Sequence, residues 1–547
     1  MSRSVRRNVP STTSTLTRVQ RILIITLGFG LALSGVALSK SVALREKLGL
    51  SAGSTPAPVQ QPPSPAAVHN EVNLLRRLGV SRTPKEHFSL LGPVAPSVSA
   101  TKIDSLFTDV DGDNQADPGD TVKYTVNINS SGADATGVTF TDTVDPNTAF
   151  VPGSLRATPV AVDDTYAATG NVRISVAAPG VLGNDFTGLP SATITAPPSM
   201  STNGGDVTLN ANGSFTYNPP AGFEGTDTFS YTLTNSEGNN SATVTINVSG
   251  MIWFINNTAS CPCDGRLTNP FNTLASFQAV NNGAGNHPAA NDNIFLYESA
   301  TDYVGPVTLL NGQRFIGQDA TASLSSITGL TPPTGSDPLP VTNSGNATIV
   351  NLTSASTAIT VASGNTLVGF TGGDAVTDIS GSGFGTLTVS DVTLNGTGQA
   401  LNLTTGTLAA TFGSISSTNS AGTGISLTGV AGSLTSPTST ITNPTGIGIS
   451  VGTSSATLNL GNTTSTGSGG AGVSLLNNTG TITFGTLGIT PDANQRGLLA
   501  TDNSNTITST SGAMWRFVPI ISSSPTTTCR APSRFRARWP ITAFRSA

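Results

Sequence analysis

Charged side chains, cysteine and histidine are scarce in this sequence. Lys, Arg, Asp and Glu together make up 10% of the 547 residues, and there are three Cys and three His. Only seven Lys or Arg residues occur between residues 90 and 515. Contacts to phosphates need clustered Lys and Arg, so the central region is not expected to bind nucleic acid.

The few cysteines give a weak metal signal. Cys261 and Cys263 are separated by one residue, and Cys529 lies far away near the C-terminus. A zinc site needs about four ligands, and no histidine pair lies near this C-x-C motif. A local disulfide is the alternative, although the short spacing would strain it. The pair is therefore interpreted as structural or incidental.

Glycine and proline are frequent, with 60 and 34 residues, and a 24-residue repeat runs through the C-terminal half. Its first glycines are at positions 398, 422, 446 and 470, and an apolar pair follows each one. The pairs are Leu401/Leu403, Ile425/Leu427, Ile449/Val451 and Val473/Leu475, and a second apolar position recurs as Leu434, Leu458 and Ile482. Apolar residues alternating with small polar ones predict strands, and a fixed period of this length indicates a solenoid. The repeat predicts a right-handed parallel β-helix with 24-residue coils.

Residues 160–249 carry a series of motifs in a fixed order. These are AVDDTY at 161–166, VLGND at 181–185, NGSFTYNP at 212–219 and FEGTDTFSY at 223–231. Their order and spacing resemble the cadherin-like Ig domain of bacterial surface and adhesin proteins, which implies a β-sandwich over residues 157–250. Short alternating strands with regular turn signals agree with a sandwich. Phe215, Tyr217, Phe229 and Tyr231 occupy alternate positions and are predicted to lie in its core.

Two flanking regions also show family resemblances. Residues 101–156, with alternating strands at 121–127 and 138–143, resemble the surface repeat of bacterial cell-wall proteins, which implies a partial Ig-like sandwich. The region after residue 251 resembles the N-terminal cap and first coils of secreted pectate-lyase-like proteins. That resemblance implies a β-helix over residues 251–512 with a capping helix near 272–280. The predicted fold class is therefore all-β, with Ig-like sandwich modules followed by a parallel β-helix.

An acidic loop precedes the strand at 121–127. It places carboxylates at positions 1, 3, 5, 9 and 12, and these are Asp109, Asp111, Asp113, Asp117 and Asp120. Oxygens at this spacing are what Ca²⁺ prefers. The loop departs from the EF-hand pattern, because position 6 is Asn114 and position 12 is Asp rather than Glu. A solvated acidic turn is the alternative.

The cadherin-like resemblance implies a second calcium site at the end of the domain. The acids that match it are Asp163, Asp164, Asp185 and Asp227. The alternative is that Asp185 and Asp227 only close turns. Structural Ca²⁺ is the expected cofactor at both sites.

The two ends of the chain have distinct compositions. Residues 1–39 combine an Arg-rich start with an uncharged apolar run at 22–38, which predicts an export signal, cleaved before residue 40, or alternatively a membrane anchor. Residues 40–100 are predicted to be a Pro-rich linker with one short helix. Residues 513–547 are Arg-rich and lose the repeat, which favours a frameshifted or truncated reading frame over an Arg-rich binding arm.

The solenoid has few groups for catalysis. No Asp, Glu, Lys, Arg, His, Cys or Tyr occurs between Asp391 and Asp492, so Asp374, Asp378 and Asp391 are the main candidate acids and bases. We therefore expect an exported, non-catalytic protein of the bacterial surface or medium, acting in adhesion or as a structural rod with a calcium-stabilised stalk. Its expected partner is a carbohydrate or a cell-surface or matrix ligand, with membrane contact only through residues 22–38. The alternatives are a polysaccharide lyase or hydrolase, active or degenerate, and a fragment of a larger adhesin.

Overall fold

The computed structural model describes residues 95–513, except 132–134, 136–137, 262, 344 and 346–348, together with residues 529–530. The predicted export signal, the linker helix and most of the Arg-rich tail lie outside these residues. The chain divides into two units, Met1–Val160 and Ala161–Ala547. In the described part of the chain, no helix is both long and apolar enough to cross a membrane.

The first unit is built on one antiparallel hairpin. Strand β1 (Ser97–Thr108) pairs with β2 (Thr121–Ser131), and the acidic loop connects them. All of β1 is exposed except the partly buried Leu106, and the exposed residues include the large apolar side chains of Ile103 and Phe107. The strand predicted at 138–143 does not form. Asp142 in that segment forms a salt bridge with Lys102 of β1, with 2.7 Å between Oδ2 and Nζ. In the described residues of 101–156 the predicted sandwich is therefore reduced to a hairpin.

The second unit begins with a seven-stranded sandwich. Its strands are β3 (Asp164–Gly170), β4 (Ile174–Val176), β5 (Thr193–Thr195), β6 (Asp206–Leu209), β7 (Phe215–Asn218), β8 (Gly225–Asn235) and β9 (Gly238–Ile255). One sheet has the order β3-β9-β8-β5, and the other has the order β4-β7-β6. The four aromatic residues predicted for the core are all at most 4% exposed. Phe215 and Phe229 pack edge to face with ring centroids 5.4 Å apart, which confirms that prediction.

A parallel β-solenoid of about nine turns follows the sandwich. Its first strand is the C-terminal end of β9, and its first helices are α1 (Leu274–Val280) and α2 (Leu324–Thr328). The remaining strands are β10 (Asn293–Leu296), β11 (Tyr303–Val304), β12 (Val307–Thr308), β13 (Arg314–Gly317), β14 (Asn351–Val361), β15 (Thr366–Ser382), β16 (Thr386–Leu394), β17 (Gln399–Thr418), β18 (Ile425–Thr442), β19 (Ile449–Gly452), β20 (Thr457–Thr466), β21 (Val473–Leu476), β22 (Ile482–Thr490), β23 (Leu498–Thr501), β24 (Ile507–Ala513) and β25 (Cys529–Arg530). Helix α1 lies within the predicted capping segment and is capped by Thr273 and Ser276.

The coils stack in the register that the 24-residue period predicted. Leu401 pairs with Ile425, Ile425 with Ile449, and Ile449 with Val473, all in parallel. These residues are at most 2% exposed, so the coils of the 24-residue repeat contribute the same apolar positions to one continuous core. Burial of aliphatic side chains gives roughly 1.5–3 kcal/mol each, but ordering the chain of a coil costs a comparable amount. The stability of the rod must therefore come from stacking between coils.

Candidate calcium sites

The acidic loop between β1 and β2 brings three of its five carboxylates together. One oxygen each from Asp109, Asp111 and Asp113 lies within 4.8 Å of the others. The backbone amides of Gly112 and Asn114 donate to the two oxygens of Asp109, at 2.7 and 2.9 Å. These backbone hydrogen bonds, from Asn114 first and Gly112 second, lower the pKa of Asp109 below its usual value. The loop is thus arranged around a charged carboxylate.

Two residues with left-handed backbone geometry curve this loop. Gly112 has φ = 81° and Asn114 has φ = 65°. Asn is one of the few residues other than Gly that adopt this region readily. Asn114 therefore supplies the turn at loop position 6, where the EF-hand pattern has Gly.

The other two predicted loop ligands belong to the closure of the loop. Asp120 accepts hydrogen bonds from the backbone amides of Val110 at 2.9 Å and Asp117 at 3.1 Å. The amide of Asp120 in turn donates to the carbonyl of Asp117 at 3.1 Å. These bonds tie the two ends of the loop together, and they leave Asp109, Asp111 and Asp113 as the residues that could hold a cation.

A second acidic group lies around the hydroxyl of Tyr231 in the sandwich. That hydroxyl lies 2.7 Å from Asp185 Oδ2, 2.9 Å from the carbonyl of Val181 and 3.5 Å from Asp164 Oδ2. The other oxygen of Asp185 accepts from the amide of Val162 at 2.7 Å. Strand pairing fixes this arrangement, because Tyr231 lies on β8, Asp164 starts β3, and β9 joins the two strands.

The carboxyl groups of this second site repel each other. Burial first, and then the negative charges of Asp185 and Asp163, raise the pKa of Asp164 to about 7. Burial also raises the pKa of Asp185. Asp163 accepts from the amide of Thr243 at 2.8 Å. A hard divalent cation would remove the repulsion, and carboxylate and carbonyl oxygens are the ligands that Ca²⁺ uses.

Asp227 does not belong to this second site. It is fully buried, and it accepts hydrogen bonds from Ser201, the amide of Asn203 at 2.9 Å and the hydroxyl of Tyr217 at 2.7 Å. Burial alone would raise the pKa of Asp227, but these donors outweigh burial and lower it. Asp227 therefore lies in a hydrogen-bond network apart from Asp163, Asp164 and Asp185, and its role as a calcium ligand stays a prediction.

The three candidate catalytic acids of the solenoid have separate environments. Asp374 is exposed and accepts from Thr397, and Asp391 accepts from the amide and hydroxyl of Thr321 at 2.9 and 2.7 Å. Asp378 is only 3% exposed, and its Oδ1 has no hydrogen-bond partner among the described residues. Burial, and secondarily the charge of Asp374, raise the pKa of Asp378 to about 8. The alternation of residues along the strand did not predict that Asp378 is buried.

Cys261 and Cys263 form a disulfide. The sequence left open a metal ligand pair and a local disulfide, and the structure has the disulfide. In this state neither sulfur is a thiolate that could bind a metal.

The fold and these sites define the class of protein: an Ig-like sandwich joined to a parallel β-solenoid. The family model of the bacterial cadherin-like domain matches residues 156–250, which are the residues of the sandwich. No curated protein and no solved structure matches this chain. A cadherin-like domain followed by a β-solenoid fits a surface adhesin-like or structural protein.

Proposed function

We propose that this protein is an exported adhesin-like protein of the bacterial surface, in which the solenoid binds carbohydrate through many weak contacts. Calcium stabilises the hairpin loop and the cadherin-like domain, and the solenoid presents the binding face. The cadherin-like domain supports an extracellular location, since such domains are typical of bacterial surface proteins.

One observation carries the binding proposal: polar uncharged side chains line up in columns along the solenoid. One such column passes through successive coils as Thr411, Thr435, Asn459, Thr483 and Thr508, each paired in register with the next. All five are exposed or half-buried. Parallel strands are about 4.8 Å apart, so this face repeats a hydrogen-bonding group at a constant spacing.

Such a column suits an extended chain of sugars better than a small molecule. Each hydroxyl or amide contributes only a weak contact, because its hydrogen bonds to water must first be given up. Several contacts in one ligand act together through effective concentration. The absence of charged residues between Asp391 and Asp492 agrees with a neutral polyhydroxylated ligand.

A glycan array with the full chain tests this proposal. We expect binding to extended neutral glycans, and we expect Thr435→Val with Thr483→Val to reduce it roughly tenfold, since each lost hydrogen bond contributes about 0.5–1.5 kcal/mol. The matched control is Thr440→Val with Thr464→Val. These residues form another column in the same coils, beyond the break in alternation at Pro437 and Thr438.

Equal binding by both variants and the wild type would contradict the proposed face. An array without any bound glycan would contradict the carbohydrate ligand altogether. The bound polysaccharides should also be incubated with the protein and assayed for new reducing or unsaturated ends. Release of such ends would support a polysaccharide-active enzyme in place of an adhesin.

A further inference from the structure

The turn between β3 and β4 of the cadherin-like domain contacts the solenoid in three different ways. We call residues 171–173 the docking turn. Asn171 forms hydrogen bonds, Val172 packs in an apolar cluster, and Arg173 forms an ion pair. The two folds therefore meet through consecutive residues and not only through the strand that connects them.

Asn171 completes the edge of the first solenoid strand. It is fully buried, with φ = 67°, and its Nδ2 donates to the carbonyl of Ile252 at 3.0 Å. Its Oδ1 accepts from the amide of Gly222 at 2.8 Å, and its own carbonyl accepts from the amide of Leu267 at 2.9 Å. The strand segment at Ile252 pairs with another solenoid strand, β10, on one side only. Asn171 of the cadherin-like domain therefore supplies the hydrogen-bond donor that a preceding coil would otherwise supply.

Val172 is part of a second apolar layer on the outside of the first coils. It is fully buried together with outward-facing residues of three stacked strands and of α2, and these are Ile252, Phe254, Phe295, Ile316 and Leu324. Burial of this apolar side chain stabilises the contact through the hydrophobic effect. The outer face of the solenoid is thus closed by a residue of the sandwich.

Arg173 holds a loop of the solenoid against the edge of the sandwich. Its guanidinium donates to both oxygens of Asp337, at 3.1 and 3.3 Å. Beside this pair, the amide of Ser175 donates to the carbonyl of Gly335 at 2.7 Å, and the amide of Asp337 donates to the carbonyl of Arg173 at 2.8 Å. The loop therefore adds a short antiparallel segment to β4, in the manner of strand addition.

From these contacts we propose that the cadherin-like domain is the N-terminal cap of the solenoid and unfolds together with it. Domains joined by small polar interfaces normally move relative to each other. This joint has a shared strand, a buried apolar residue and a satisfied strand edge, and solenoids need such a cap at their terminal coil. The two folds then act as one rigid body instead of a stalk hinged to a rod.

Native-state hydrogen exchange on the full chain tests the proposal in the wild type. Peptides from β8 in the sandwich and β18 in the solenoid should show the same free energy of opening and the same dependence on denaturant, since both open in one event. If β8 exchanges through a separate opening of clearly lower free energy, the proposal is wrong.

A variant test uses Asn171→Ala with Val172→Ala and Arg173→Ala in the full chain. We expect this change to split one calorimetric transition into two, with the sandwich melting first by at least about 5 °C, a shift that corresponds to about 1 kcal/mol in a domain of this size. The control is Ser236→Ala with Glu237→Ala in the turn between β8 and β9, at the opposite end of β9. This control should keep a single transition.

Two calorimetric results would overturn the proposal. One is a docking-turn variant that keeps a single transition at the wild-type temperature, and the other is a wild type that already melts in two steps. If the triple variant does not fold, the exchange experiment on the wild type still decides between the coupled and the hinged arrangement.

Discussion

Asp378 is a carboxylic acid inside the solenoid. The register of its flanking pairs aligns it with Ala358 and Ala400 on the neighbouring strands, and both alanines are at most 1% exposed. Gly372 lies beside this side chain, because a Cβ at that glycine would be in ordinary contact with Asp378 Cγ, at 3.5 Å. An isolated ionised carboxylate is costly in such surroundings, so the proton stays on this acid at neutral pH.

The buried acid makes the stability of the solenoid depend on pH. The pKa of Asp378 rises from 3.8 to about 8 in the folded chain, so the folded state binds the proton more tightly than the unfolded state does. The contribution of Asp378 to stability is therefore complete below about pH 4 and is lost as the pH rises to about 8. We predict that Asp378→Asn removes this loss and makes the protein more stable than wild type at pH 8, by up to about 5 kcal/mol at one pKa unit per 1.36 kcal/mol.

Urea unfolding at pH 4, 6 and 8 measures this effect as the difference between wild type and Asp378→Asn. The comparison with wild type is needed because Asp164 also has a raised pKa. Asp164 therefore adds the same pH dependence to the free energy of unfolding of both proteins. Asp374→Asn serves as a control for the smaller charge effect. A difference between wild type and Asp378→Asn that does not change with pH would show that Asp378 is ionised inside the fold.

Single residues also mark the limit of what the sequence predicts. Asp163, Asp164 and Asp185 were found from motif positions, because strand pairing brings fixed motif positions together. Asp227 sits in a similar acidic motif, but the structure surrounds it with donors from distant positions, Ser201 and Tyr217. The burial of Asp378 escaped prediction for the same reason: it depends on the two neighbouring coils.

At the scale of elements, the two acidic sites lie in the β1–β2 hairpin and in the cadherin-like domain. The hairpin of β1 and β2 is mostly exposed, and the site around Tyr231 joins β3 to β8. Ligands that bind only the folded state raise its stability, by about 2.7 kcal/mol at a hundred times the dissociation constant. If the cadherin-like domain and the solenoid unfold in one event, calcium at the site around Tyr231 should protect the coils together with the domain.

We predict that calcium raises the melting temperature and protects both segments from hydrogen exchange. Asp111→Asn should remove the protection of the β1–β2 hairpin alone, and Asp185→Asn should remove that of the cadherin-like domain and of the coils that open with it. The control is Asp145→Asn, a turn residue outside both clusters. A melting temperature that saturating calcium leaves unchanged would count against both sites, and the same result with magnesium as with calcium would count against calcium specificity.

Element prediction succeeded where a pattern repeats and failed where a strand needs a partner. The apolar pairs of the repeat predicted strands that stack at once on identical neighbours. Residues 138–143 alternate equally well in sequence but remain without a strand, since among the described strands β1 and β2 pair only with each other. The docking turn was not predicted at all, because Asn171 and Arg173 contact residues far along the chain, Ile252 and Asp337.

At the scale of the molecule, the period of 24 residues makes each coil interchangeable with the next. Ile425 pairs with Leu401 in the preceding coil, and Ile449 pairs with Val473 in the following coil. The two isoleucines also pair with each other, so they occupy the same position in successive coils. Each coil therefore contacts only its neighbours, and stability is close to a sum over coils and their interfaces. A whole coil should be removable without disturbing the core.

We predict that deletion of residues 425–448 gives a folded protein with one coil fewer. Gly424 would join Ile449, so that Leu401 faces Ile449, Leu403 faces Val451 and Ala410 faces Leu458, in the pairing that the intact chain already uses. The rod should shorten by about 4.8 Å, and the urea m-value should fall slightly, because less surface is buried. Small-angle scattering and urea unfolding measure the two changes.

The control deletion removes residues 425–436, half of the period. It places the apolar positions of the next coil over the polar positions of the preceding one, so the core cannot close, and we expect a cooperative transition to be lost. If the 24-residue deletion also abolishes cooperative unfolding, the coils are not equivalent units. The stability of the rod would then depend on features of individual coils, such as the buried Asp378, more than on the repeat that generates the fold.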